Sequence, residues 1–242
     1  MKITGRNAVS EALNSNVTID RLVVAKGLRD SQANNLINLA RSKGIKITFL
    51  EKEILDKESK GAKHQGFIAE VTDFIYSTVE DILQDAEQKG QDPFIIILDG
   101  VEDPHNLGSV LRVAECGGVH GVIIGRHRAV SVNETVIRVS AGAATHVKVA
   151  RVTNINDTIR ELKEKNIIVL AAETGGDNLY KTNLKGALAL VIGGEDSGVK
   201  RLTKQLCDGV ISLPMYGEVN SLNASVACGA VVYEAIRQRN FD

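Results

Sequence analysis

The stretch PFIIILDG, residues 93–100, decides how the chain is read. Five consecutive apolar residues, 94–98, leave no side to face water, so this strand is expected to be covered on both faces. A strand of that kind belongs in a parallel sheet with helices packed above and below. Downstream the same grammar repeats. Strands are expected at 94–98, 120–124, 147–149, 167–171, 187–192 and 209–213, and helices at 107–117, 133–143, 155–165, 200–206 and 222–239. This alternation predicts an α/β domain built from βα units over 93–242.

Upstream, residues 76–92 are polar and carry five acids against one lysine. Val79, Ile82, Leu83 and Ala86 recur at helical spacing, which predicts a linker carrying a short helix. Residues 1–75 read as a separate small α/β unit, with helices at 6–14, 31–43 and 51–56 and strands at 19–25, 45–49 and 66–72. Asp30 and Ser31 are N-cap candidates and Gly44 a helix stop. This unit holds 12 Lys and Arg against 9 Asp and Glu, whereas 93–242 holds 16 of each. The mild basic excess therefore lies at the N-terminus, although the net charge of the chain is −1.

Hydrophobic residues make up 43% of the chain, aromatics only 4%, and tryptophan is absent, so the core must be aliphatic. Cys116, Cys207 and Cys228 form no CxxC pair, and three cannot build a disulfide framework; a reduced cytosolic setting fits. The cysteines are expected to pack as small apolar residues. No secretory leader and no apolar run long enough for a membrane span is read. The five histidines show no metal-ligand spacing, and neither HExxH nor GxSxG occurs.

Three polar stretches follow expected strands, where open α/β sheets bind ligands. In the first, Asp99, Glu102, Asp103, His105 and Asn106 crowd one loop; Asn106 is expected to begin a helix, with Arg112 six residues on. Alone this is an N-cap and a surface arginine. In the second, Gly193 and Gly194 precede Glu195. They fit neither GxGxxG nor a P-loop, which disfavours a dehydrogenase-like nucleotide site, but they permit close backbone approach to a ligand. In the third, the chain enters the last helix through Ser221, Asn223 and Ser225; one of them would suffice as a cap. The basic groups Arg126-His127-Arg128 and Lys200-Arg201 read as solvated surface.

Taken together and in order, DPHNLGSVLR (103–112), LVIGGEDSGV (190–199) and SLPMYGEVNSLNASVACG (212–229) resemble the three motifs of the SpoU (TrmH) family of RNA ribose 2′-O-methyltransferases, in the SPOUT superfamily. GRNAVSEAL (5–13) and KHQGFIAEV (63–71) resemble that family's N-terminal substrate-binding domain. The resemblance implies a C-terminal parallel-sheet domain with a deep trefoil knot holding S-adenosylmethionine, a homodimer, and no metal. It implies a cofactor cradle at Gly193, Ile211, Leu213 and Leu222, and functional polar residues at Asn106, Arg112, Glu195, Ser221 and Asn223. It points to a guanosine of 23S rRNA as substrate, with tRNA methylation or a non-catalytic RNA-binding module as alternatives. The 2′-hydroxyl chemistry itself selects RNA over DNA. The resemblance implies Arg112 as general base; since arginine stays protonated under nearly all conditions, the alternative is a cationic Arg112 that binds the adjacent phosphate and stabilises the developing alkoxide.

Overall fold

The computed structural model describes residues 2–14, 18–28, 30–59, 61–72, 74–195 and 198–241, and the chain divides into a unit ending at Ile75 and one beginning at Tyr76. In the first unit the elements run β1 (Lys2–Thr4), α1 (Arg6–Asn14), β2 (Thr18–Ala25), α2 (Ser31–Ser42), β3 (Lys46–Leu50), α3 (Lys52–Glu58) and β4 (Phe67–Thr72). They form a mixed sheet of order β1-β4-β2-β3, in which only β2 and β3 pair in parallel. Alternation along β2 sets the layers. Leu22 and Val24 join Val9 and Leu13 of α1 and Leu36 of α2, whereas Val23 and Ala25 meet Leu55 of α3. Asp30 caps α2 by accepting from Ala33 N at 2.9 Å. The same carboxylate takes a forked pair from Arg6 at 2.8 and 2.7 Å, and Arg6 Nε donates to Gln65 O at 3.3 Å. The two N-terminal stretches singled out in the sequence are thus one clasp. Strand β1 has no counterpart among the expected elements, because three residues carry too little alternation to register.

The second unit begins with α4 (Val79–Gln88) and continues β5 (Phe94–Asp99), α5 (Pro104–Cys116), β6 (Gly121–Gly125), α6 (Glu134–Val139), β7 (Lys148–Val152) and α7 (Ile155–Glu164). It ends with β8 (Ile168–Asn178), β9 (Leu188–Gly193), α8 (Arg201–Leu206), β10 (Gly209–Ser212) and α9 (Ala224–Phe241). Its six strands are all parallel, in the order β10-β8-β9-β5-β6-β7. Every residue of the central strands β5 and β9 is buried, as the unbroken apolar run requires. Ile95 and Ile97 pack with Ile82 of α4 and with Ile159 and Leu162 of α7. Ile96 and Leu98 alternate to the other face, the side on which α5 packs against α9.

Four local readings differ from expectation. The 76–92 stretch carries α4, capped by a Thr78–Asp81 capping box, and Ile82 and Ala86 bury it in the second unit. Its acids lie outside, which is why composition alone reads as linker. Helix α5 starts at Pro104 behind the cap Asp103, so Asn106 lies inside the first turn rather than beginning the helix. Helix α6 stops at Val139 because Ala141 (φ 52°) and Gly142 (φ 91°) leave helical geometry, and a 3₁₀ turn, Ala143–Thr145, follows. Strand β8 runs on to Asn178, but its pairing with β10 jumps from Ala171–Val210 to Asp177–Ile211, so the stretch between has no β10 partner.

Candidate active site

A parallel sheet delivers its strand C-termini to one edge, and the loops after β5, β9 and β10 meet there. Asp99 ends β5 and holds the loop after β9. Its buried carboxylate accepts from Lys200 N at 3.0 Å and from Lys200 Nζ at 2.7 Å, and its carbonyl accepts from Gly194 N at 3.1 Å. A Cβ on Gly193 would overlap the carbonyl carbon of Gly198 and the nitrogen of Val199, and one on Gly194 would overlap the Gly100 carbonyl oxygen. The two glycines therefore also serve the close approach of chain to chain, a role the sequence did not show. Residues 196 and 197 of this motif lie outside the described residues.

On this frame three of the singled-out side chains converge. Asn223 Nδ2 donates to Glu195 Oε1 at 2.5 Å and to Asn106 Oδ1 at 3.0 Å, and Asn106 Nδ2 donates to the same Glu195 oxygen at 2.9 Å. A carboxylate only accepts, so both amides must turn their nitrogens toward it. The other end of Asn223 caps α9: Oδ1 accepts from Ser225 N at 3.0 Å and Ser225 Oγ at 2.7 Å, and its carbonyl accepts from Ala227 N at 2.9 Å. One side chain thus starts a helix and docks it onto two other loops.

Next to the cluster lies a cavity of about 400 Å³. Gly193, Ile211, Leu213 and Leu222 all line it, together with Ser221, Asn223 and Glu195. Leu179, Ile192 and Val231 extend its apolar wall. Two lining residues, Glu173 and Thr174, escaped the sequence reading. They sit where β8 leaves β10, and Glu173 Oε2 accepts from Val199 N at 2.9 Å, bracing the loop after β9. A signal was Gly175-Gly176, just beyond the strand expected at 167–171, since a glycine pair in a strand marks a bulge or a close backbone approach. A second cavity of about 270 Å³ is lined by Gly100, Val101, Glu102, Asp103, Asn106, Gly194 and Glu195, so Glu195 borders both.

Arg112 is not brought into this cluster. It is exposed on α5, makes no hydrogen bond or ion pair among the described residues, and lines neither cavity. Six helical residues from Asn106 is a rotation of about 240°, which turns it to another face. Cys228 is buried and its thiol is pushed up to about 12, while burial pushes Cys207 up to about 11, so neither is poised as a nucleophile. Cys116 is exposed, against the expectation that all three fill the core. Among the described residues no group of three or more His, Cys, Asp or Glu could hold a metal ion, and no helix is long and apolar enough to cross a membrane.

Known proteins resemble the chain over nearly its whole length. Residues 93–233 match the SpoU rRNA Methylase family, and residues 2–77 match the RNA 2′-O ribose methyltransferase substrate-binding family. The Bacillus subtilis protein YacO, named within the TrmH family of tRNA/rRNA methyltransferases, is 43% identical over 98% of this chain and 96% of its own length. The 23S rRNA (guanosine-2′-O-)-methyltransferase RlmB of Escherichia coli K12 is 42% identical over 90% of this chain and 89% of its own. In fold, the chain resembles the SpoU methyltransferase AviRb of Streptomyces viridochromogenes, solved in complex with the cofactor AdoMet, with a TM-score of 0.62 and 23% identity over 98% of this chain and 90% of that one. Three loops gathered at one sheet edge, in a chain so matched from end to end, belong to a member of the SpoU rRNA methylase family.

Proposed function

We propose that the protein transfers a methyl group from S-adenosylmethionine to the 2′-hydroxyl of a ribose in RNA, the acceptor being a guanosine of 23S rRNA. The observation that carries this reading is Glu195, whose carboxylate borders two adjoining cavities while Asn106 and Asn223 hold it in place. The larger cavity suits the cofactor: its volume falls in the ordinary range for small-molecule sites, its apolar wall suits an adenine ring, and the carboxylates of Glu173 and Glu195 suit a cation. Gly193, Ile211, Leu213 and Leu222 would hold it. The cofactor supplies an electrophilic methyl group on a sulfonium.

The smaller cavity is our site for the acceptor ribose. Glu195 Oε1 is engaged by both amides, which leaves Oε2 to orient the 2′-hydroxyl and take up its proton. Arg112, exposed and cationic, is available to an RNA phosphate. We read the segment from β10 to Asn223 as threaded through the loop after β9 to make the trefoil knot; the tight packing at Gly193 and the bond from Asn223 to Glu195 support this. We also read the protein as a homodimer, supported by Val226, Ala230 and Tyr233, an exposed apolar stripe along α9. The cytosol, where ribosomes are made, is the setting this function requires.

The match of residues 2–77 to a substrate-binding family supports RNA as the partner, and the E. coli relative's name supports the 23S guanosine. The B. subtilis relative's name, which spans tRNA and rRNA, favours tRNA as the second reading. Methyl-labelled S-adenosylmethionine, offered with unmodified 23S rRNA and with tRNA in separate reactions, tests the proposal. Label in rRNA is the expected result. Label in tRNA alone moves the acceptor, no transfer to either by protein that binds the cofactor points to a missing ribosomal context, and protein that binds no cofactor leaves a non-catalytic RNA-binding module.

A further inference from the structure

We propose that the turn Arg126-His127-Arg128, after β6, is a docking surface for RNA phosphates within the second unit itself; the proposal rests on the reading of the protein as an RNA methyltransferase. In the sequence these residues read as ordinary solvated surface. The structure makes them more than that, because the turn is pinned at both ends. Arg126 N donates to Val152 O at 2.8 Å, extending the pairing of β6 with β7, and Val130 N donates to Val101 O at 3.0 Å. Val101 lines the smaller cavity and belongs to the loop that leads to Asn106. The basic turn is therefore stitched directly to a loop of the candidate active site.

The charges on the turn are also uncompensated. The side chains of Arg126, His127 and Arg128 are exposed and make no hydrogen bond or ion pair among the described residues. Some other arginines of this chain are committed to carboxylates, as in the forked pairs Arg6–Asp30 and Arg21–Glu70. A third guanidinium lies against the turn. Arg151 Nη2 donates to the Arg126 carbonyl at 3.4 Å and its guanidinium carbon stands 5.7 Å from the Tyr76 ring centre, yet it too has no ion-pair partner among the described residues. Arg128 meanwhile adopts the left-handed region at φ 50°, which a long side chain seldom occupies. A turn pinned at both ends that exposes two guanidinium groups beside a third, none of them ion-paired among the described residues, raises the local potential and favours an anion. Guanidinium groups pair with phosphate through two parallel hydrogen bonds. The partner that brings phosphates in a row beside the acceptor cavity is the RNA backbone, which this turn would position without reading bases.

The test is the double variant Arg126→Gln/Arg128→Asn in the full-length protein, asparagine being chosen because it tolerates a positive φ. RNA binding is measured against salt concentration, using 23S rRNA and an unrelated RNA of equal length. Loss of two phosphate contacts should lower the slope of log affinity against log salt by roughly 1.4 and weaken both RNAs alike. Cofactor affinity should not change, and lysine at both positions should restore the slope. RNA affinity and salt slope unchanged from an RNA-binding wild type would overturn the proposal alone. A wild type that binds no RNA would overturn the functional reading and this proposal with it.

Discussion

Asn223 is the residue on which the candidate site can be taken apart cleanly, because its two ends do different work. Its Oδ1 caps α9, and its Nδ2 binds Glu195 and Asn106. Asn223→Ala removes both. The lost cap costs about 1 kcal/mol, and the lost bond to the carboxylate, between two exposed residues, about 1 kcal/mol more. A loss of ~2 kcal/mol in a unit of this size lowers Tm by about 4–8 °C. Asn223→Asp keeps the cap, since aspartate is as good an N-cap, but turns the donor into a second carboxylate facing Glu195. The lost bond plus a like-charge repulsion of about 1 kcal/mol in a solvent-exposed pair gives a similar deficit at neutral pH. The two variants then separate in acid. A carboxylate pair takes up one proton at raised pKa and shares it, so the aspartate variant should regain most of its loss by about pH 5, whereas the alanine deficit stays. The assay is scanning calorimetry of the full chain between pH 7 and pH 5, following the transition that added S-adenosylmethionine raises. An alanine variant that melts with the wild type, or an aspartate deficit indifferent to pH, refutes the reasoning.

Three other outcomes are expected. Gly193→Ala forces a Cβ into the Gly198–Val199 backbone, so cofactor affinity measured by calorimetry should fall by about ten-fold or more, ~1.4 kcal/mol; unchanged affinity would mean the loop packing does not shape the cavity. Arg112→Ala should lower transfer by roughly 10–100-fold through the lost phosphate contact while cofactor binding persists, and transfer near the wild-type rate would remove Arg112 from the mechanism. His120 accepts from Phe94 N at 3.0 Å through Nδ1, which puts its proton on Nε2 toward Gln91, and burial, with Lys89 nearby, holds its pKa below the usual value. As pH falls through about 6.5 the unfolded chain takes up a proton that the native chain refuses, so stability drops below that pH. Urea denaturation should show this drop in the wild type and less of it in His120→Gln; equal pH profiles would contradict the assignment.

The layers of the second unit were legible because β5 is apolar without interruption, and a two-sided burial of that kind admits few architectures. The convergence of Asn106, Glu195 and Asn223 was legible only as a set of motifs, since each alone is a helix cap or a turn. What periodicity could not carry is long-range geometry. Gly193 and Gly194 read only as room for a ligand until the chain segments that cross them are known. Glu173 belongs to a departure from strand pairing that leaves no mark in the sequence but a glycine pair. Residues 76–92 look like a linker because ten surface positions outvote Ile82 and Ala86 in composition, although those two decide the packing.

The most direct test of the central claim is alkaline digestion of 23S rRNA labelled by the protein from methyl-labelled S-adenosylmethionine. Alkaline cleavage of RNA uses the 2′-hydroxyl as nucleophile, so a methylated ribose survives within a dinucleotide, while a methylated base is released in a mononucleotide. The account predicts label in alkali-stable dinucleotides that begin with guanosine. Label confined to mononucleotides would contradict it.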